Sequence, residues 1–327
     1  MDLLTDQLAH GPCTHAPWFG ARRRLAIAAA AALAAVPALA SCTAPEPQEP
    51  GTRSAAPPPI AVEVNQSRDQ YGKQAIELLL TNVSGGSLTV AAAELASPLF
   101  QGDIVWEPAG GGLELPPGQP KSLPARLPAP VCGRGQSGAQ QPAAPQATAQ
   151  PVATVRFSGP GRAGLREVAH VADDPFGVLE RNNQELCLAV DAAAVAAIAL
   201  DRRLEVAPDS RTAVVRLVII PKERGGAGPD AGPMTIAGIG GTTLIAEPAE
   251  QPWPRNVRIA QGTPRTELRL RIRPARCDPH AIAEDKVGTL LPLHVSVGGR
   301  EGQLKIAAGT ALRGQIYDFV TAACARG

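Results

Sequence analysis

The stretch CDPHAIAEDK, Cys277 to Lys286, gathers Asp278, His280, Glu284 and Asp285 within eight residues, the densest set of potential metal ligands in the chain. His280 and Glu284 are four apart, so one helical turn would put them on a common face. HExxH, CxxC and paired histidines are absent from the chain, and these are the patterns that usually hold zinc. Asp278, His280 and Glu284 are therefore weak metal candidates. A capped, solvated turn after Cys277 is the expectation, with neither a metal nor a cofactor.

GPGRAG, Gly159 to Gly164, satisfies GxGxxG. A pyrophosphate cradle built on it needs a strand before and a helix after. The flanks VATVRFS and LREVAHV are both strand-like, which predicts a hairpin turn. GxSxG, SxxK and Walker motifs are absent, and the histidines outside the leader are His170, His280 and His294. His294 lies within LLPLHVSV, where a sheet position is expected and not a catalytic base. A pair of glycosidase carboxylates is defined by separation in space, which spacing along the chain does not fix. The expectation is a non-enzyme.

The elements that position these residues recur. YGKQAIELLLTNVSGGSLTV from Tyr71 and DSRTAVVRLVIIPKERGGAG from Asp209 both read as an apolar strand followed by a glycine-rich turn, with another apolar strand beyond. Each half then carries one tryptophan within two residues of a proline, Trp106 or Trp253, and a cysteine 26 or 24 residues later, Cys132 or Cys277. VRFSGPGRAGLREV and LHVSVGGREGQLKI follow, 32 and 31 residues before Cys187 and Cys324. Equivalent tryptophans suggest a shared structural task, such as plugging one end of each domain, over a ligand platform.

Strands such as Glu267 to Arg273 alternate aliphatic and charged residues, so one face meets a core and the other meets water. Short strands between Gly, Pro, Asn and Asp clusters predict an all-β chain of two tandem antiparallel sandwiches, residues 60–187 and 188–327. Helical periodicity is weak, with a turn or two in Ala281 to Val287 and Arg313 to Ala323. Asp191 to Leu200 reads equally as helix or buried strand. The pattern resembles tandem immunoglobulin-like domains of bacterial surface proteins, although both tryptophans precede both cysteines of their repeat, unlike antibody domains. No named domain family is identified.

Four cysteines allow three pairings. The repeat selects Cys132 with Cys187 and Cys277 with Cys324, because a bond within one duplicated domain is available in the other. The surface between the domains is then expected to be free.

Ahead of the repeats, Arg22 to Arg24 precede sixteen residues, Leu25 to Ala40, that are apolar apart from Pro37. That is short of the roughly 20 a membrane-spanning helix needs and follows the plan of a secretory signal. Leu39, Ala40, Ser41 and Cys42 close it and resemble the lipobox of bacterial lipoprotein precursors. The resemblance implies a signal peptide over 1–41, lipidation of Cys42 and an anchor of several acyl chains, enough for stable membrane attachment. Arg22, Arg23 and Leu25 also resemble RRxL of twin-arginine signals, so the export route stays open. Residues 42–59 form a proline-rich linker, in which Thr43 to Pro59 hold six prolines, a semi-rigid tether of roughly 50 Å at full reach.

Without the leader's Asp2, Asp6 and three arginines, the 31 basic and 30 acidic residues become 28 of each. A chain with no net charge has no long-range pull toward nucleic acid, and 3% aromatic residues leave few stacking platforms. The expected partners are the membrane, through the anchor, and another envelope protein. The expected role is non-catalytic binding, scaffolding or structure on the extracytoplasmic face. The rival is an envelope enzyme or metal-handling protein using Asp278, His280 and Glu284.

Overall fold

In AVVRLVIIP, residues 213–221, Ala213, Val215, Leu217 and Ile219 are buried while the residues between them are half-buried or exposed. This is the period-two pattern of a strand with one core face. The computed structural model describes residues 57–133, 150–160, 162–225 and 232–325, which fall in one compact unit. Cys42 and the leader lie outside the described residues, as does most of the low-complexity segment after Cys132.

The first sandwich contains β1 (Ile60–Asn65), β2 (Ala75–Asn82), β3 (Leu88–Ala96), β4 (Ile104–Trp106), β5 (Leu113–Leu115), β6 (Lys121–Arg126), β7 (Val152–Gly159) and β8 (Arg162–Val171). One sheet has the order β1-β2-β6; the other runs β4-β3-β7-β8, with β5 also on β3. The second contains β9 (Ala196–Leu200), β10 (Glu205–Val206), β11 (Ala213–Pro221), β12 (Met234–Ile239), β13 (Ile245–Ala246), β14 (Val257–Ile259), β15 (Thr266–Pro274), β16 (Leu290–Val297) and β17 (Arg300–Ala307). Its sheets are β10-β11-β15-β13, with β9 also on β11, and β14-β12-β16-β17. Every strand pairing within these sheets is antiparallel.

The two halves thus repeat one immunoglobulin-like plan, β1-β2-β6 against β9-β11-β15 and β5-β3-β7-β8 against β14-β12-β16-β17. Even an irregularity recurs. The β3–β7 ladder shifts register after Val90, opposite Phe157, and the β12–β16 ladder shifts after Ile236, opposite Val295. These are equivalent positions of the repeat. A bulge leaves one residue unpaired and bends its strand, so its duplication carries the curvature of the sheet along with the sequence.

GPGRAG falls where β7 ends and β8 begins, with Gly159, the last residue of β7, paired to Arg162, the first of β8. Its counterpart is the tight hairpin between β16 and β17, where Val297 pairs with Arg300 across Gly298 and Gly299. Both glycines have positive φ, 59° and 79°, the left-handed region that two-residue hairpins demand and that side chains resist.

Both expected disulfides are present, Cys132–Cys187 and Cys277–Cys324, at separations of 55 and 47 residues. Each ties a helix to the segment that leaves β6 or β15.

Helix is more extensive than the sequence indicates. α1 (Val178–Val195), α2 (Pro279–Ala283) and α3 (Thr310–Cys324) are all present. α1 begins under the carboxylate of Asp174, which accepts the backbone N–H of Val178 at 2.7 Å and of Leu179 at 2.9 Å, satisfying donors left open at a helix start. It ends when Ala196 turns extended and β9 begins, so Asp191 to Leu200 is half helix and half strand. α3 buries Leu312, Ile316, Phe319 and Val320 on one stripe.

The expected division between residues 187 and 188 falls inside α1. Val178 and Leu179 belong to the first hydrophobic core and Leu188, Ala192 and Val195 to the second. Between them Asn182 is buried and satisfied: its amide nitrogen donates to Val178 O at 2.7 Å and to Gln66 Oε1 at 3.1 Å, and its oxygen accepts from Gln66 Nε2 at 3.1 Å. The surface between the domains is not wholly free. Lys305 of β17 pairs with Glu185 of α1 and lies 4.8 Å from the ring centre of Tyr71 in the first repeat, while Arg300 reaches Asp191 at 2.9 Å and the carbonyl of Gly133.

Candidate functional site

Asp278 stands just before α2, and its side-chain oxygen accepts the backbone N–H of His280 at 2.9 Å. That is an N-cap, reinforced by Pro279 in the first turn. The carboxylate is therefore engaged in starting the helix. His280 and Glu284 do share a face, Nε2 to Oε1 at 3.3 Å, but both project into solvent with side chains 80% and 68% exposed. Among the described residues no cluster of three His, Cys, Asp or Glu side chains could hold an ion.

The fourth acid of the stretch is held differently. Asp285 Oδ2 accepts the Tyr317 hydroxyl at 2.8 Å and the Gly288 backbone N–H at 2.7 Å, and Oδ1 accepts the Thr243 hydroxyl. These partners come from α3, from Asp285's own turn and from the segment before β13, so one carboxylate fastens three parts of the second domain. Burial, and then the hydrogen bond to Asp285, raise the pKa of Tyr317 above its ordinary value, which keeps the phenol protonated as donor.

Beside this network lies a cleft of about 660 Å³ between α2 and α3. Its apolar wall includes Pro279, Ile282, Ala283 and the Cys277–Cys324 bond, and Lys286 and Arg313 border it. Sequence reading picked out one wall of this cleft for its acids. It missed Arg313 and Tyr317, 28 and 32 residues beyond Asp285, which reach the site only because α3 folds back against α2.

A second cleft, about 370 Å³, opens where the repeats meet. The alanines of α1 and β9 form much of its floor, and Tyr71, Glu185 and Lys305 stand around it. The ion pair and the ring contact already described occupy its polar side.

The remaining candidates are structural. Trp253 is 3% exposed in the second core, and its indole Nε1 donates to the carbonyl of Arg271 at 2.6 Å. Trp106 ends β4 and packs, partly buried, against the first core. His294 is exposed on β16. His170 on β8 has both ring nitrogens shielded without a hydrogen-bond partner, and burial lowers its pKa against an opposing pull from Asp173.

No protein-family model and no curated protein matches the chain. Ten chains of solved structures do. One is the exo-β-D-glucosaminidase CsxA, in a structural study of its inhibition by a glucosamine-configured castanospermine and an amino-australine analogue. It is 11% identical over 75% of this chain and 26% of that one, with a TM-score of 0.18. The chain thus spans about a quarter of the glucosaminidase. Another is the CsuC–CsuE chaperone–tip adhesion subunit pre-assembly complex of archaic chaperone-usher Csu pili from Acinetobacter baumannii, 8% identical over 72% of this chain and 92% of that one, with a TM-score of 0.19. Neither likeness bears on what this chain does.

Proposed function

We propose that the chain is a lipoprotein of the cell envelope, anchored through Cys42 on the extracytoplasmic face of the membrane. Its paired immunoglobulin-like domains serve there as a non-catalytic binding or scaffolding unit for another envelope protein. The observation that carries the reading is the order of segments: an apolar run closed by Leu39-Ala40-Ser41-Cys42, six prolines from Thr43 to Pro59, and the first strand beginning at Ile60. Grease directs export, acylation holds the chain, and a proline-stiffened spacer lifts the folded part from the bilayer. The helix common to both cores supports a presenting role, because it makes the two sandwiches one framework. The commitment of Asp278 to a cap and of Asp285 to a fastening network favours binding over acid–base chemistry in that loop.

Metabolic labelling with an alkyne fatty acid tests the anchor. The wild-type chain is expected to take up label and sediment with membranes, and Cys42→Ala to accumulate as unlabelled precursor. Labelling of the Ala variant would refute the reading.

A further inference from the structure

We propose that the cleft between α2 and α3 binds an amphiphilic anion, a ligand carrying a carboxylate or phosphate head on a short apolar body. The volume, about 660 Å³, lies in the range of small-molecule sites, which join apolar walls to a few placed polar groups. Here the apolar part is Pro279, Ile282, Ala283 and the disulfide Cys277–Cys324. The polar part carries an excess of positive charge, Lys286 and Arg313 against Asp285. Lys286 and Arg313 both line the cleft, and among the described residues neither forms an ion pair with a carboxylate.

Unpaired cations on an open surface are ordinary. These two differ in bordering a concave apolar wall whose single lining acid, Asp285, is already occupied. Both of its oxygens accept hydrogen bonds, from Thr243 on one side and from Tyr317 and Gly288 on the other. Asp285 forms no ion pair with Lys286 or Arg313 among the described residues, and its own charge is held by these neutral donors. The guanidinium of Arg313 sits 5.8 Å from the centre of the Tyr317 ring and acts on its hydroxyl, which keeps it beside the cleft; a planar guanidinium has five N–H donors and matches carboxylate and phosphate in paired hydrogen bonds. Other acids of the loop turn elsewhere, Asp278 to the start of α2 and Glu284 to His280 in solvent. The sequence pattern that suggests a cation site thus folds into a site for the opposite charge.

The test uses sodium octanoate, octyl phosphate, octanol and inorganic phosphate as probes, titrated calorimetrically into a chain from Pro57 to Gly327 with both disulfides formed. This chain holds both cores. Octanoate and octyl phosphate are expected to bind at one site and octanol and inorganic phosphate at least tenfold more weakly; the tighter of the two anions identifies the head group. Arg313→Gln and Lys286→Gln are each expected to weaken the bound anion about tenfold, the worth of a charge-assisted hydrogen bond, without lowering the ligand-free melting temperature. Octanol binding as tightly as octanoate, inorganic phosphate binding as tightly as octyl phosphate, or anion binding unchanged in both variants overturns the proposal. Cys42 is absent from this chain, so such a failure leaves the anchoring reading untouched.

Discussion

Lys305 and Glu185 come from opposite sides of the Cys187–Leu188 division, and the lysine Nζ donates to both carboxylate oxygens at 2.7 Å. Both side chains are only partly accessible, 21% and 32%, and the aromatic face of Tyr71 lies against the same ammonium. One side chain of the second repeat is thus held by α1 and by the first repeat together. α1 already belongs to both cores, so the pair limits bending about a shared helix and does not join two loose bodies.

Lys305→Ala is accordingly expected to cost little in stability, about 1 kcal/mol, and to widen the distribution of angles between the sandwiches. Residual dipolar couplings from the two domains check this. A single alignment tensor fitting both domains of the variant as well as in the wild type would show that the pair does not limit bending.

The disulfides should differ in access. Cys187 is 1% exposed, whereas Cys277 is exposed and Cys324 half-buried at the rim of a cleft. Exchange needs an attacking thiolate to reach sulfur, so mild reductant followed by alkylation should label Cys277 and Cys324 before Cys132 and Cys187. By loop-closure entropy each bond contributes about 4 kcal/mol. Peptide mapping of the partly reduced protein reads the order directly.

Stability should fall on mild acidification because of His170. Its folded-state pKa lies below the ordinary 6.5 because burial disfavours the imidazolium more than Asp173 favours it. The folded chain therefore binds fewer protons than the unfolded chain, and stability is full above the unfolded pKa. It declines as pH falls through about 6.5 toward the lower folded value and levels off below that. His170→Phe removes the ionisation, so its urea midpoint should lose this dependence. An unchanged slope in the variant would assign the effect elsewhere.

Trp253→Phe separates ring from hydrogen bond. Phenylalanine keeps an aromatic body in the second core but leaves the Arg271 carbonyl without its indole donor. A loss of about 1–3 kcal/mol is expected, the cost of abandoning a buried acceptor. The same change at the half-buried Trp106, for which no such bond is formed among the described residues, should cost less, and chemical denaturation of the two variants compares them.

The strand plan and the cysteine pairing are legible in the sequence for the same reason: both are periodic. Alternation along Ala213–Pro221 fixes a core face residue by residue, and duplication of the spacing from Trp106 to Cys132 and from Trp253 to Cys277 reduces three pairings to one. α1 is not legible because its apolar residues answer to two cores in turn, Val178 and Leu179 to one and Leu188, Ala192 and Val195 to the other. No single stripe runs its length, and Asn182 and Asn183 in its second turn have weak helix propensity. The chemistry of the CDPHAIAEDK loop is decided wholly by tertiary structure. Residue type marks Asp278 and Asp285 alike as potential ligands. Folding gives the first the backbone of α2 to cap and brings Thr243 and Tyr317, 42 and 32 residues away, to the second. A carboxylate's role is set by the donors that surround it, and those donors are distant in sequence.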